Sequence, residues 1–386
     1  MNRRGVQLLS LVLSDFRNLE QVQLRPSAHT TVAFGHNGQG KTNLLEAVYF
    51  LATLKPLRSS KLVELIRFGV DQAQVLGRFA IEGTSREISV RLQPGLRQAF
   101  VDGKRTQNLD EYFGSVSVVS FTPDDLAVVK GGPDQRRRFL DRAVFNRYPV
   151  FLKESRNYTI ALKSRNRLLR EGADLSYLDV YDEALATSGA RIWCRREKLL
   201  REMAPRTEQA FGAIARISSP LRCSYVRTGL SGDEGSTEAE LAEALKQGLR
   251  IRLPKDTERG FTSIGPHTDD LEFSFGEYPA RSFGSQGQQR ALVLAWKIAE
   301  IENLRDANGL LPLLLLDDVS SELDRARNDY LMNYLAGTGA QVFLTTTDPA
   351  LVVRATGPDT VWYEVEGGSV NLAPAPPQAL ISSPAK

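Results

Sequence analysis

The sequence is poor in cysteine, the residue type on which disulfide scaffolds and zinc modules depend. Its 386 residues include two cysteines and three histidines. Cys194 and Cys223 lie far apart and lack the spacing of a metal-ligand pair. A disulfide-stabilised scaffold and a zinc module are therefore excluded, and a reducing, cytoplasmic compartment is expected.

Long hydrophobic runs are also missing. The longest apolar stretch, residues 310–316, is much shorter than the roughly 20 residues that a membrane-spanning helix needs. Residues 1–13 imitate a signal peptide, with Arg3 and Arg4 before several leucines. Asp15 and Arg17 interrupt the pattern without a small-residue cleavage site, so a strand is predicted instead. We therefore expect a soluble protein without a membrane partner.

Charge is nearly balanced over the whole chain but not locally. The net charge is +3, yet residues 130–170 contain twelve basic and three acidic side chains, a local net charge of +9. An excess of this size predicts a polyanionic partner, and a solvated helical surface is the alternative. We expect Arg136, Arg137, Arg138 and Arg142 to contact phosphates of such a polyanion without reading sequence.

A glycine-rich segment near the N-terminus matches the phosphate-binding pattern G-x-x-x-x-G-K-[ST]. It comprises Gly35, His36, Asn37, Gly38, Gln39, Gly40, Lys41 and Thr42. An apolar strand is predicted before it and an amphipathic helix after it, which is the context that the motif requires. Backbone N–H groups of such a loop surround phosphates. Lys41 is expected at the β- and γ-phosphates of ATP, and the Thr42 hydroxyl on Mg²⁺.

Two carboxylates end a second buried strand, in the sequence LLLLDD of residues 313–318. Asp317 is the candidate that organises Mg²⁺, and Asp318 the candidate that orients or deprotonates the attacking water. Aspartates at strand ends also cap the following helix, which is the structural alternative. The phosphate-binding loop elsewhere in the chain favours the functional interpretation.

A third segment, residues 285–290 (SQGQQR), opens a long predicted helix. It resembles the S-G-G-Q signature of ABC-type ATPases, with Gln286 in place of the first glycine. In that superfamily the signature closes over the γ-phosphate that another subunit holds. An ordinary serine-capped helix start is the alternative. Residues 321–324, just past the acidic strand, resemble the D-loop of the same superfamily.

These motifs predict the domain organisation. Lys41 and Asp317 must meet at one phosphate, so residues 1–125 and 258–371 are expected to form one discontinuous head. The predicted fold class is α/β, an ABC-type P-loop ATPase head with an antiparallel β subdomain. Residues 126–257, where helical patterns dominate, form an inserted helical arm. Residues 372–386, rich in proline, are expected to be a disordered tail.

Together the motifs resemble the RecF family of ABC-type, SMC-like ATPases. The matching segments are residues 35–47, 133–141, 265–271, 284–290 and 315–324. The resemblance implies a slow ATPase that dimerises on ATP, binds gapped or duplex DNA, and works with RecO and RecR in loading RecA. It implies that Ser285, Gly287 and Gln288 act on the partner's ATP, with Ser285 catalytic alongside Lys41 and Asp318. It also places Arg58 near the nucleotide, although a solvated arginine is the alternative.

The chain departs from the family pattern at several positions. His36 stands where a basic residue is common, and Thr268 stands where arginine or lysine is usual. Residues 345–348 (TTTD) occupy the place of the switch histidine of transporter-type heads. His267, Asp269 and Asp270 are expected to form a structural turn, with a metal site as the alternative.

Two further interpretations of the whole chain stay open at this point. One is the nucleotide-binding subunit of an ABC transporter, against which the inserted basic arm and the missing switch histidine argue. The other is a DNA-binding scaffold that retains the loop without hydrolysing ATP.

Overall fold

The computed structural model describes residues 5–58, 61–106, 112, 116–172, 175–215, 219–229 and 236–374. Contacts divide the chain into a first unit, Met1–Leu126 with Glu300–Lys386, and a second unit, Ala127–Ala299. Within the described ranges, every helix is too short or too polar to cross a bilayer.

The strands and helices follow one another along the described parts of the chain. The strands are β1 (Gln7–Phe16), β2 (Leu19–Leu24), β3 (Thr30–Phe34), β4 (Ala73–Ile81), β5 (Thr84–Gln93), β6 (Leu96–Val101), β7 (Lys104–Arg105), β8 (Val118–Phe121), β9 (Leu221–Val226), β10 (Asp270–Phe275), β11 (Tyr278–Pro279), β12 (Leu313–Asp317), β13 (Val342–Thr346), β14 (Val361–Glu366) and β15 (Ser369–Ala373). The helices are α1 (Lys41–Thr53), α2 (Pro123–Leu126), α3 (Pro133–Arg147), α4 (Phe151–Glu171), α5 (Leu175–Ala215), α6 (Glu238–Arg259), α7 (Ala280–Phe283), α8 (Gln286–Asn308), α9 (Val319–Glu322) and α10 (Arg325–Thr338).

The first unit is built around a mainly parallel sheet with the order β15-β14-β3-β13-β12-β8. All five residues of β12, the run LLLLD, are buried. Such continuous apolar strands are typical of parallel sheets that are covered on both faces. β13 lies between β3 and β12, and it pairs Thr345 with Asp317. One strand therefore separates the strand that precedes the phosphate-binding loop from the strand that ends in the acidic pair.

A second sheet of this unit is antiparallel, with the order β2-β1-β4-β5-β6-β7. Its strands alternate buried and exposed residues, as expected when one face is packed and the other solvated. The β6–β7 turn has Asp102 at φ 50° and Gly103 at φ 75°, the positive φ values of a tight two-residue hairpin turn. α1 contacts strands of both sheets and is buried over most of its length.

The second unit consists of α3 to α7, the first part of α8, and the antiparallel sheet β11-β10-β9. Arg165 of α4 joins three helices in its core, because it donates to Asp182 of α5 at 2.6 Å and to Asp256 of α6 at 3.0 Å. Arg165 and Asp256 have no exposed surface. α6 begins with a capping box in which Thr237 and Glu240 bind each other's backbone N–H.

The predicted α/β fold with an antiparallel β subdomain is confirmed, and three details differ. β9 lies inside the stretch where helical patterns dominate, and its short alternating pattern was not recognised as a strand. The contact division places residues 258–299 in the second unit, although the sequence assigned them to the head. Leu372 and Ala373 belong to β15 and not to the predicted tail, of which residues 375–386 lie outside the described part.

Candidate functional site: a phosphate-binding loop with an acidic strand end

The phosphate-binding loop connects β3 to α1 through three glycines with positive φ. The φ values are 146° at Gly35, 79° at Gly38 and 119° at Gly40, a region that side chains with a Cβ rarely adopt. A Cβ on Gly35 would lie 2.3 Å from the Val365 carbonyl oxygen, whereas one on Gly38 would meet nothing within 4 Å. Packing thus requires a glycine at position 35, whereas a side chain at position 38 would extend into open space.

Two turns of the first unit hold this loop in place. Gly367 N–H donates to Gln39 Oε1 at 2.6 Å, and Gly368 N–H donates to the Gln39 carbonyl at 3.0 Å. Asn18, in the β1–β2 turn, donates to the same carbonyl at 3.0 Å. Hydrogen bonds from both turns therefore support the conformation of the loop.

The Lys41 ammonium lies inside the loop. Its Nζ donates to the carbonyl oxygens of Gly35 at 2.7 Å and His36 at 2.8 Å, and the residue is 6% exposed. Burial lowers the pKa of Lys41, while the charges of Asp318 and Asp317 oppose that shift. The His36 side chain is exposed, so this residue contributes its carbonyl. Asn37 is exposed as well.

The Thr42 hydroxyl meets the end of β12. Its Oγ1 donates to Asp317 Oδ1 at 2.6 Å. Arg58 Nη2 lies 3.4 Å from Asp317 Oδ2, which brings the predicted arginine to the acidic end of the strand. Residues separated by 275 positions in the chain thus form one cluster, as the phosphate-binding interpretation requires.

Thr345 is a site residue that the sequence analysis did not assign. Its Oγ1 lies 2.9 Å from Asp317 Oδ1, and it accepts a hydrogen bond from the Asp318 N–H at 3.0 Å. One buried hydroxyl therefore contacts both members of the acidic pair. The signal in the sequence was the run of threonines at the end of a buried strand, where a histidine was sought instead.

Asp318 has an unusual backbone and an unsatisfied carboxylate oxygen. Its φ is 47°, and its Oδ1 is buried without a hydrogen-bond partner. Burial raises the pKa of Asp318, partly offset by Lys41, while Asp317 adds to the increase. Strained, polar and poorly solvated groups of this kind concentrate at functional sites. The Asp318 carboxylate is available to bind a ligand or a water molecule.

A buried carboxylate on α1 organises the surroundings of Arg58. Glu46 has no exposed surface, and its Oε1 accepts hydrogen bonds from the backbone N–H of Leu57 at 3.0 Å and Arg58 at 3.4 Å. Arg17, at φ 56°, pairs with the same carboxylate at 2.9 Å. Sequence reasoning missed Glu46, since an acidic residue within a helix is ordinarily exposed.

A cavity of about 810 Å³ opens beside the loop, within the range of small-molecule sites. Its lining includes Arg17, Asn18, Asn43 and Arg58, together with the fully exposed ring of Phe68. Asn43 directly follows Thr42, so the cavity adjoins the phosphate-binding loop.

The predicted signature lies in the second unit, at the start of α8. Ser285 Oγ accepts a hydrogen bond from Gln288 N–H at 3.2 Å, and Gln288 Oε1 accepts one from Ser285 N–H at 2.8 Å. This is a capping box, so the structural alternative for Ser285 describes what the side chain does within the chain. Ser285 and Gln286 are exposed, and Gly287 and Gln288 are half-buried. The helix N-terminus is accessible to an anion from outside the chain.

The arginine cluster of α3 is less exposed than its sequence suggests. Arg136 is 5% exposed and binds both carboxylate oxygens of Asp270, at 2.8 and 2.6 Å. Arg137 donates to the Asp269 carbonyl, and the half-buried Arg142 lies over the Phe139 ring. Arg138 alone of the four is exposed, and it pairs with Asp134. The predicted phosphate contact of Arg136 is therefore corrected, because its guanidinium is buried and neutralised.

The segment of residues 265–271 serves the core of the second unit. Asp269 Oδ2 accepts from Trp193 Nε1 at 2.5 Å and from the Tyr225 hydroxyl at 2.7 Å. His267 Nδ1 lies 2.7 Å from the Tyr158 hydroxyl, and burial lowers the pKa of this imidazole. These contacts describe the structural turn that the sequence favoured.

The fold and the site define an ABC-type P-loop ATPase of the SMC-like class. The phosphate-binding loop follows β3, the acidic pair lies at the C-terminal end of β12, and the first unit also contains an antiparallel sheet. The family model described as "RecF/RecN/SMC N terminal domain" matches residues 7–367. Structures of Smc head domains, including one from Pyrococcus furiosus with a TM-score of 0.54 and 15% identity, share the fold.

The chain belongs to the RecF family. It is 61% identical to the DNA replication and repair protein RecF of Myxococcus xanthus over 95% of this chain and 97% of that protein. It is 40% identical to the RecF protein of Geobacter sulfurreducens over 95% and 99% of the two chains. A structure of the recombination mediator protein RecF with ATP, in the RecFOR pathway, superposes with a TM-score of 0.86 at 29% identity, covering 96% and 99% of the chains.

Proposed function

We propose that this chain is an ATP-dependent DNA-binding recombination mediator. It dimerises on ATP, holds gapped or duplex DNA, and releases it upon slow, DNA-dependent hydrolysis of ATP. With RecO and RecR it promotes the loading of RecA in DNA repair and replication restart, and it acts in the cytoplasm. The observation that carries the proposal is the 2.6 Å hydrogen bond from Thr42 to Asp317, because it joins the phosphate-binding loop to the acidic strand end.

The first unit binds the nucleotide. The loop N–H groups of residues 35–42 surround the phosphates, and Lys41 exchanges its two loop carbonyl partners for phosphate oxygens. The nucleoside occupies the cavity beside Asn43 and Arg58. Burial lowers the pKa of Lys41 because its cation is poorly solvated, so binding of an anionic phosphate stabilises the charged form.

The Thr42 hydroxyl and the Asp317 carboxylate suit Mg²⁺, because both are hard oxygen donors that already converge. When bound, Mg²⁺ neutralises charge on the β- and γ-phosphate oxygens. Thr345 keeps the Asp317 carboxylate directed at Thr42. Asp318, whose Oδ1 is buried and unpartnered, orients the attacking water and takes its proton.

The second half of each nucleotide site comes from a second copy of the chain. Ser285 Oγ and the N-terminus of α8, with Gly287 and Gln288, bind the γ-phosphate held by the partner's loop. The exposure of Ser285 and Gln286 at this helix start supports the role. ATP is then shared between two subunits, and its binding energy closes the dimer on DNA.

Replacing Lys41 tests the proposal directly. Lys41→Met removes the cation that binds the phosphates, and we expect at least a tenfold loss of ATP affinity and no ATP-dependent retention of gapped DNA. The exposed Lys104 of β7 supplies the matched control, Lys104→Met. Both are measured by nucleotide titration and by DNA retention after dilution. Unchanged ATP affinity in Lys41→Met would refute the assignment of the loop. If the unsubstituted protein retains DNA equally well with and without ATP, the alternative of a DNA-binding scaffold that does not hydrolyse ATP is favoured.

A further inference from the structure

The outer face of α4 carries a row of five cations. From residue 151 to residue 170 the exposed charged side chains are Lys153, Arg156, Lys163, Arg167 and Arg170. The acidic residue in this range, Glu154, is buried and pairs with Arg195. We call these five residues the α4 basic stripe.

Helix geometry places the five side chains together. At about 100° per residue, their directions fall within an arc of about 100° around the helix axis. Phe151, Tyr158, Ala161 and Leu169 are buried on the opposite side. From Lys153 to Arg170 the stripe extends for about 25 Å at 1.5 Å per residue. The charges thus form a line along one solvent-facing side of the helix.

Within the part of the chain that the structure describes, few anions compensate this line of charge. Among the described residues, Arg167 is the stripe residue with an ion-pair partner: its Nε lies 3.9 Å from Oε1 of the exposed Glu171. Lys163 and Arg167 are four positions apart on the helix, a spacing at which like charges repel each other. A solvated helix face ordinarily carries charges of both signs, whereas this face carries positive charges. Binding of a linear polyanion would relieve their mutual repulsion.

We propose that the α4 basic stripe is a docking surface for the phosphate backbone of duplex DNA. This inference deepens the proposed function, on which it rests, by moving the phosphate contacts from the buried Arg136 to α4. A duplex presents a phosphate charge about every 1.7 Å along its axis, which matches a straight row of cations. The polar, exposed Asn157 and Thr159 adjoin the row and suit phosphate oxygens.

The composition of the face argues for a duplex over other anionic partners. Exposed aromatic rings, which stack on the bases of single strands, are absent from the described exposed positions of α4. The large apolar side chain exposed beside the stripe is Ile160. A single such residue does not form the broad apolar face that a membrane-binding helix needs.

The test compares two triple variants with equal loss of charge. Lys153→Gln, Lys163→Gln and Arg167→Gln neutralise the stripe, and Arg78→Gln, Lys104→Gln and Arg105→Gln neutralise exposed cations of the antiparallel sheet. Binding of the full chain with ATP to a labelled 30-base-pair duplex is measured by fluorescence anisotropy between 50 and 200 mM salt. We expect the stripe variant to bind at least tenfold more weakly, with a salt slope reduced by about 2 to 3, and the control to be unchanged.

A second measurement uses the unsubstituted protein, so that it does not depend on folding of the variants. Saturating duplex should protect Lys153 and Lys163, but not Lys104, from acetylation. Equal binding by the two triple variants, or acetylation of Lys153 and Lys163 unaffected by DNA, would overturn the stripe while leaving DNA binding intact. If the unsubstituted chain binds no duplex, the proposed function fails as well. If the stripe variant loses only its binding to anionic phospholipid vesicles, the surface serves a membrane and the proposal is wrong.

Discussion

At the scale of single residues, Thr345 is the hydroxyl that links both aspartates of the candidate nucleotide site. Its hydroxyl contacts Asp317 Oδ1 and the Asp318 N–H, and the residue is 1% exposed. Thr346, the next residue of β13, is equally buried but bonds with Asp348. Adjacent strand residues point to opposite faces, so the two threonines separate an effect on the acidic pair from an effect on packing.

We expect Thr345→Val to slow ATP hydrolysis by about 10- to 100-fold, because a hydrogen bond to a charged group contributes about 1.5–3 kcal/mol. ATP affinity should change little, since Lys41 and the loop remain. Thr345→Ser should restore the rate, and Thr346→Val should leave it unaffected. Single-turnover hydrolysis and ATP titration measure the two quantities. A defect of equal size in both valine variants would indicate a packing role for Thr345.

The raised pKa of Asp318 predicts that the contribution of this residue to stability depends on pH. Burial raises the pKa of its carboxyl in the folded state above the ordinary value of 3.8. The folded state then binds the proton more tightly than the unfolded state, so this group lowers stability as pH rises through the interval between the two pKa values. Asp318→Asn should therefore raise the Tm at pH 7, and the difference should shrink as the pH falls toward 3.8.

The measurement is thermal unfolding of both proteins across this pH range, with the exposed Asp71 replaced by asparagine as the control. A Tm of Asp318→Asn at pH 7 equal to or below that of the unsubstituted protein would contradict the assigned direction. Asp318→Asn should also abolish hydrolysis while preserving ATP binding.

At the scale of helices and strands, the second unit depends on a buried ion cluster. Arg165 of α4 joins Asp182 of α5 and Asp256 of α6, and it also donates to Thr262 at 3.0 Å. We expect Arg165→Met to cost about 3–5 kcal/mol of unfolding free energy, because it leaves two carboxylates buried without their cation. Arg167→Met, on the exposed side of the same helix, should cost less than about 0.5 kcal/mol.

Chemical denaturation followed by circular dichroism measures both variants. Replacing Asp182 and Asp256 by leucine together with Arg165→Met should recover part of the loss, because no buried charge then remains. An Arg165→Met variant as stable as Arg167→Met would show that the cluster does not hold the helices together.

Elements with strong local signals were predictable from the sequence. Pro133 stands at the first position of α3, and Gly172 ends α4 in a left-handed conformation, both ordinary local signals of a helix start and a helix end. Elements that depend on distant partners were not. β9 is a short strand whose pairing with β10 bridges more than forty residues, and α5 continues through Pro205 to Ala215 although proline usually interrupts a helix.

The residues of the candidate site also fall into two groups, those with a local sequence signal and those without one. Lys41, Thr42, Asp317 and Asp318 could be proposed from the sequence because their motifs are contiguous. Glu46 and Thr345 were not, because their roles come from contacts across the fold. Arg136 was assigned to phosphate binding because a run of arginines does not reveal that one of them pairs with Asp270, 134 residues away.

At the scale of the whole molecule, the proposal requires that two copies share each nucleotide. Ser285→Arg places a bulky side chain at the exposed N-terminus of α8. We expect it to abolish ATP-dependent dimerisation while ATP affinity stays within about threefold, because the loop of residues 35–42 is untouched. Ser282→Arg, at an exposed position three residues earlier, is the matched control and should dimerise normally.

Analytical ultracentrifugation with and without Mg·ATP distinguishes these outcomes. Ser285→Asp is a useful third variant, since aspartate retains the helix cap but repels the γ-phosphate. Dimers that persist in both Ser285 variants would rule out a role in trans for this helix start.

The hydrogen bonds from Gly367 and Gly368 to Gln39 have a consequence for biosynthesis. The glycine-rich loop is translated hundreds of residues before Asp317 and the β14–β15 turn, to which it is hydrogen-bonded. Domains generally fold as units once their contacting segments have emerged. We therefore expect a nascent chain to complete this pocket, and to bind ATP, only after β14 and β15 have been synthesised.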